Sequence, residues 1–598
     1  MPVRSSTIPG AMDQVRISHL HTYFLFPFAV SSEQVIARNP QFWRKAIHWL
    51  DGLEEWIKIC SGTGSHVPRL LGRWQRHSYD RFELDSEAYQ DMVFFHPFVR
   101  HVFFDTQTKE PGPHPALIRC YVLPLDGKQV FLEAADEQGR PRAVQVTELR
   151  LFFFANGMGI LSVGVQATDV TLDEALWINE QMRKVYPSSG RQVREGRAPN
   201  EFQLTLHGPA GRQVVASDHF QNATMIGFEP PLSKLVQSLL YFLDYQRREY
   251  EQVIDERMIV YSYVELDPDT ARDIVGSEEY EVLFSRFLYV DRAGPGYRYQ
   301  RDFIRKELDR HGYRRWAHEG TYYGFTSYSN LSLCLGKGDR GGHQLQEGFL
   351  IHRMFNQRYY LMTVVALFYR ATLLMFNEKT ALISKLLYLD QTRSSEMKRE
   401  NVELALKLRA EFLHFSNYWY FSELANKDEE SQHFEMQCRE YRIAEMMTEL
   451  AKELEAMSIS TTEFFQARNT AAVNRLAMLS LIFGAGAIVT GYFGMNFGER
   501  FGSIFFSPGT RLEYFVHGVA VAVVSLFALG ALMFGLYVIF ANWRDYGHIL
   551  APRHRPLKAD LLLQSAMAPP ESPELAEVGG ETTAHPQPIE PMQQPEKT

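Results

Sequence analysis

The chain has 598 residues, 45% of them apolar and 22% charged, an ordinary composition for folded protein and enough length for three or four domains. A net charge of -9 leaves no basic excess and argues against a general nucleic-acid binder. Cys60, Cys120, Cys334 and Cys438 are too scattered for a Cys-x-x-Cys metal or redox pair and read as free thiols in a reducing compartment.

Residues 1–17 read as a flexible N-terminus, with no apolar core between Arg4 and Arg16 of the kind a secretory signal needs. Residues 18–345 read as a mixed α+β cytoplasmic domain. Leu20 to Val30 is apolar, too short to span a bilayer and interrupted by Pro27, so it is expected as a strand. His19 and His21 then share one strand face, as ligands or as a satisfied surface pair. Leu149 to Val165 predicts a hairpin turning at Asn156-Gly157, a dipeptide suited to the positive φ angles of a type I′ turn. Helices are expected at Leu172 to Val185 and Leu232 to Asp255, followed by a strand at Met258 to Leu266. Between Arg292 and Arg315 eight basic residues meet three acids, with Tyr297, Tyr299 and Tyr313 interleaved. Arg298, Arg301, Arg305, Arg314 and Arg315 are therefore a candidate anionic-ligand site, or else a solvated helix face. The loop Gly336 to Gly342 lacks phosphate-loop spacing. No nucleophile–base pair is legible, and no enzyme is expected.

Residues 346–475 read as a helical stalk. Tyr359 to Phe376 is strongly apolar but interrupted by Arg370, which favours a helix buried in the soluble part over a membrane span. A second helix begins near Glu396 and runs through the aromatic stretch Phe412 to Phe421. From Glu429 to Phe483 no Pro or Gly interrupts the pattern, and one continuous helix is expected. Within it Ile443, Met447, Leu450, Leu454, Met457, Thr461 and Phe464 alternate in steps of four and three, a heptad-like seam.

Residues 476–498 carry no Asp, Glu, Lys or Arg, and neither do residues 514–543. As a helix the first would extend about 34 Å, enough for a ~30 Å hydrocarbon core. Two spans joined by an external loop at 499–513 are expected. Arg500 and Arg511 lie in that loop, against Arg468, Arg475, Arg544, Arg553, Arg555 and Lys558 on the other side, which puts both termini in the cytoplasm. Residues 544–565 are a basic cytoplasmic segment, and 566–598, with seven prolines, read as a disordered tail.

The first span ends in Gly491-Tyr492-Phe493-Gly494-Met495-Asn496-Phe497. A Gly-Met-Asn triplet at the outer end of the first of two C-terminal spans resembles the signature of the CorA family of divalent-cation transporters, over about Phe412 to Trp543. The resemblance implies a CorA-like funnel: the α+β domain, long stalk helices, two membrane helices per chain, and a homopentamer in the plasma or inner membrane. Gly494, Met495 and Asn496 would form a selectivity filter, with Asn496 meeting Mg²⁺ through its hydration water, because Mg²⁺ dehydrates reluctantly. Helical spacing back from Asn496 gives the pore stripe Gly491, Ala487, Gly484, Ser480, Leu476 and Val473. Glu499 and Glu513 are loop acids able to concentrate cations, or partners for Arg500 and Arg511. Membrane lipid, further copies of the chain and divalent cations are the implied partners, with no tightly bound cofactor. Ala487 and Gly484 stand where relatives often carry Thr or Met, and the loop lacks a Met-Pro-Glu run, so Mg²⁺ and Zn²⁺ both stay open as the transported ion. A nucleotide-gated membrane effector of the kind associated with type III CRISPR defence is the alternative, and a tether without a pore is a third.

Overall fold

The computed structural model describes residues 15–44, 49–62, 66–77, 93–104, 117–135, 139–186, 201–209, 211–219, 232–254, 257–274, 279–292, 299–335, 347–394, 398–494 and 511–541. The strands in chain order are β1 (Arg16–Val30), β2 (Gln75–His77), β3 (Ile118–Leu123), β4 (Gln129–Ala135), β5 (Pro141–Phe154), β6 (Met158–Thr171), β7 (Glu201–Gly208), β8 (Gly211–His219), β9 (Tyr250–Gln252), β10 (Ile259–Leu266), β11 (Gly312–Tyr313), β12 (Thr321–Phe325) and β13 (Ser329–Cys334). They form one mixed sheet in the order β11-β12-β13-β10-β1-β6-β5-β4-β7-β8, with β3 also on β5, β2 on β3 and β9 on β1. Only β10 and β13 run parallel among the described pairs. The central strand β1 begins at Arg16, so the last two residues of the segment expected to be flexible are part of the sheet.

The long apolar run of β1 follows from cover on both faces. On one side Thr22 donates to Asn179 (2.8 Å) of helix α1 (Leu172–Gln181). That helix starts with a capping box in which Thr171 and Glu174 each satisfy the other's backbone N–H. On the other side Tyr23 stacks near Tyr360 (ring centroids 4.5 Å apart), which belongs to the C-terminal helices. The β5–β6 hairpin forms where alternation and Asn156-Gly157 place it, but Gly157 alone takes positive φ (86°), so the turn is not the expected type I′. The predicted helix at Leu232 to Asp255 is shorter: Lys234–Leu239 is helical, turns follow, and Tyr250–Gln252 pairs with β1.

Among the other helices are α2 (Glu279–Leu288), α3 (Arg301–His311), α4 (Glu347–Met354), α5 (Tyr360–Ser394), α6 (Arg399–His414), α7 (Asp428–Glu440), α8 (Ile443–Gly494) and α9 (Arg511–Ala541). A π-helical turn at Phe355–Tyr359 links α4 to α5, and a second at Phe415–Trp419 ends α6. The stretch Ile351–Asp390 is long and apolar enough to cross a membrane, yet 78% of its most apolar part is buried inside the chain. Its residues lie on the sheet: Tyr360 donates to Ser162 of β6 (2.7 Å), and Phe368 stacks on Phe154 of β5 at 4.0 Å. The aromatic stretch after α6 packs onto the same helix, with Phe415 near Phe368 and the Phe421 N–H donating to the Tyr369 hydroxyl.

The continuous helix expected from Glu429 is broken. Arg442 takes a left-handed φ of 55° between α7 and α8. Beyond the break α8 runs 52 residues, about 78 Å at ~1.5 Å per residue. Its predicted seam is the packed face, with Ile443, Leu450, Leu454 and Thr461 buried and Met447 and Phe464 partly so.

Candidate functional site

Helix α8 is described as far as Gly494, and α9 packs back against it. Met495, Asn496 and Glu499 lie outside the described residues, and Glu513 stands in the first turn of α9. The six stripe positions, by contrast, are all placed. Val473 (61% exposed), Leu476 (49%), Ser480, Gly484, Ala487 and Gly491 lie along one exposed stripe of α8, while Leu479 beside them is 7% exposed. Among the described residues nothing lies within 4 Å of a Cβ built on Gly484, Gly486 or Gly491. Thr490 donates back to the Gly486 carbonyl (2.8 Å), a bond that often bends a helix. Among the described side chains of α9, Phe515, Val519, Leu526, Phe527 and Met533 are exposed as well. Apolar surface left open along both helices marks it for lipid or for neighbouring chains.

The basic segment behaves otherwise. Arg298 lies outside the described residues. Arg301 and Arg305 stand on α3, and Arg305 pairs with Glu281 of α2 at 3.3 Å. Arg314 pairs with Asp309 at 3.3 Å, and Arg315 lies over the Trp316 ring. Arg305, Arg314 and Arg315 thus each contact one of the protein's own acids or aromatics.

What the same region does build is a clamp onto the stalk. His311, at the end of α3, places Nε2 3.1 Å from Glu307 and Nδ1 3.0 Å from Glu440 at the end of α7. Arg439 donates to the Arg310 carbonyl (2.6 Å). The clamp therefore grips the chain just before the left-handed Arg442. The hydrogen bond to Glu440 raises the His311 pKa above 6.5 against the opposing effect of burial. Burial pushes the Glu440 carboxyl up, but His311 and Arg439 outweigh it and hold it below 4.5. The raised histidine contributes stability that is fully present below pH 6.5 and lost as pH rises through its folded value. The depressed carboxyl contributes stability present above pH 4.5 and lost as pH falls through its folded value. The advantage of the native chain over His311→Gln in denaturant midpoint is thus expected to peak near pH 6, at about 1–3 kcal/mol, and to shrink toward pH 9. A pH-independent difference would refute the charged clamp.

A second cluster was half visible in the sequence. His19 and His21 do share one face of β1, and His352 of α4 joins them, 331 residues from His21. No periodicity or motif links His352 to the pair, and only the fold brings it there.

No protein-family model matches the chain, and no curated protein does. Among solved structures the chain is similar to the CorA magnesium transporter from Methanocaldococcus jannaschii, at 13% identity over 48% of this chain and 94% of that one, with a TM-score of 0.19. At that score the two chains do not superpose as wholes, and the functional reading rests on this chain's own residues.

Proposed function

We propose that the chain is a CorA-type membrane channel or transporter for divalent cations, Mg²⁺ first among them. The observation that carries this reading is the position of Gly494-Met495-Asn496. In the sequence the triplet follows directly on the bare stripe of small and apolar residues along α8, whose described residues run to Gly494, and it precedes a second long apolar helix that packs on the first. Spans at 476–498 and 514–543 with both termini cytoplasmic fit the charge distribution. In a homopentamer five such stripes would line one pore, and the absence of side-chain bulk at Gly484, Ala487 and Gly491 would leave room for a hydrated ion. A ring of Asn496 amides would hydrogen-bond the water shell of Mg²⁺ without stripping it, which suits an ion that dehydrates reluctantly. Glu499 and Glu513 would raise the local cation concentration at the mouth. Zn²⁺ remains the alternative cargo. Ligand gating is the second functional reading.

The test is Mg²⁺ uptake into liposomes holding the purified protein, with Zn²⁺, Co²⁺ and Ni²⁺ as competitors. Uptake is expected in the native protein and is expected to vanish in Asn496→Ala, with the competition ranking the ions. A well-folded native protein that passes no ion would sink the constitutive transporter and favour a channel that waits for a ligand.

A further inference from the structure

We propose that His311 is a proton-operated latch on the root of α8: protonated, it ties the end of α7 to α3, and loss of the proton frees the turn at Arg442. Control of ion flux by this latch rests on the transport reading above, whereas the latch itself does not.

The contacts of the ring decide its charge. Nε2 lies 3.1 Å from Glu307 and Nδ1 lies 3.0 Å from Glu440, in a side chain that is buried. A neutral imidazole has one N–H to give. Whichever nitrogen carries it, the other turns a lone pair toward a carboxylate at contact distance. The imidazolium alone donates to both acids. The surrounding groups come from three elements. Tyr289, one residue past α2, donates to the same Glu307 oxygen (2.6 Å), and on α3 Arg310 opposes a charge on the ring. On α7 Arg439 lies 3.1 Å from the other Glu440 oxygen, so Glu440 is shared between two cations. Glu440 first and Glu307 after it outweigh burial and Arg310, and the ring's pKa is raised above 6.5. The latch is therefore closed below that folded value and opens as pH rises through it.

What the latch holds is a turn that the sequence does not impose. No Pro or Gly lies between Glu429 and Phe483, yet Arg442 takes a φ of 55° two residues after Glu440. That left-handed position after a helix end commonly falls to glycine, and another residue weights it down by a factor of roughly 5–30. Contacts across the turn have to make up the difference. His311–Glu440 is one, and Arg439 on the Arg310 carbonyl (2.6 Å) is another. With the proton gone, one carboxylate faces a lone pair and the first contact turns repulsive. Helix α8 begins at the next residue, Ile443, and runs on into the proposed pore stripe, so the turn and the stripe share one helix.

The experiment is amide hydrogen exchange on the full chain in detergent, with native protein, His311→Gln and Glu440→Gln compared at equal pH so that intrinsic rates cancel. The reporters are the Tyr441, Arg442 and Met446 amides, bonded to the Gln437, Arg439 and Arg442 carbonyls around the turn. At pH 6 they are expected to exchange at least about tenfold more slowly in the native chain than in either variant, the low end for losing a hydrogen bond to a charged group. At pH 8.5 the difference is expected to disappear. No difference at pH 6, or one that persists unchanged to pH 8.5, would overturn the latch. Glu440→Gln preserves the side-chain shape and decides if His311→Gln does not fold. In liposomes, native cation uptake is expected to change by about fivefold or more between pH 6 and pH 8.5, the low end for coupling between two sites, and both variants are expected to flatten that step. Matching pH profiles in native and folded variant proteins would end the latch's control of flux. Native protein that passes no ion at either pH counts against the transport reading, and the exchange comparison then decides the latch by itself.

Discussion

Phe368→Ala is expected to lower the stability of the soluble part by about 3–5 kcal/mol, the range for truncating a fully buried phenylalanine. Phe368 is buried in the middle of α5, its ring stacked on Phe154 at 4.0 Å and 5° and packed edge-on to Phe415 at 6.0 Å. One side of the ring thus holds the sheet and the other holds the aromatic turn that closes α6. Removing it leaves a void that neither rigid element can collapse to fill, so the loss includes a cavity cost as well as the lost transfer energy. Leu382→Ala on the same helix, at an exposed position, is expected to cost no more than about 0.5 kcal/mol. Denaturant midpoints of the two variants in detergent, read by tryptophan fluorescence, make the comparison. Equal small losses would mean that α5 is not the joint between sheet and stalk.

The same joint explains what the sequence did and did not disclose. The run Tyr359 to Phe376 reads as buried because Arg370 interrupts it, and in the fold Arg370 lies over the Tyr441 ring and donates to the Ser327 carbonyl. The β5–β6 hairpin is legible because both its alternation and its turn residues are local. So is the α8 seam, whose four-and-three spacing is a property of the helix itself. The break at Arg442 is not legible. Nothing in Gln437 to Glu445 disfavours a helix, and an arginine at positive φ is held there by tertiary contacts, among them the His311–Glu440 clamp. The over-long helix at Leu232 to Asp255 fails for a similar reason. Glu249 is buried against Arg38 and accepts from the Asp244 N–H, partners that only the folded chain supplies.

The candidate site divides along the same line. Gly494-Met495-Asn496 and the stripe behind it are contiguous or helically spaced, so a single sequence carries them. His352 beside His21, and Glu440 beside His311, are contacts across 331 and 129 residues that no pattern announces. The basic aromatic segment is a different case. Its composition suggested a receptive anionic-ligand site, but Glu281 and Asp309 already engage Arg305 and Arg314, which leaves less charge to offer a ligand.

Ala487→Arg is expected to cut cation flux by at least about 100-fold while Ala487→Gln, of similar length and uncharged, leaves most of it. The argument starts from position. Ala487 lies in the half of the bare α8 stripe nearer Gly494, three residues from Gly484 and four from Gly491. If that stripe faces a shared pore, each chain contributes one guanidinium a few ångströms from the ion path. At an effective dielectric near 20 and roughly 8 Å, a unit charge meets about 2 kcal/mol of repulsion, and a divalent ion about twice that, before the other chains are counted. About 4 kcal/mol is already a factor approaching 10³ in rate. If the stripe faces lipid instead, the arginine costs about 2.5–3.5 kcal/mol of insertion and the protein accumulates poorly, but each inserted assembly conducts as before. Leu526→Arg, at an exposed position on α9, supplies that second behaviour as an internal standard. Flux per reconstituted protein therefore separates the two geometries. A drop at Ala487 with Leu526 spared places the α8 stripe on the ion path, and matched behaviour at both positions turns it to the bilayer.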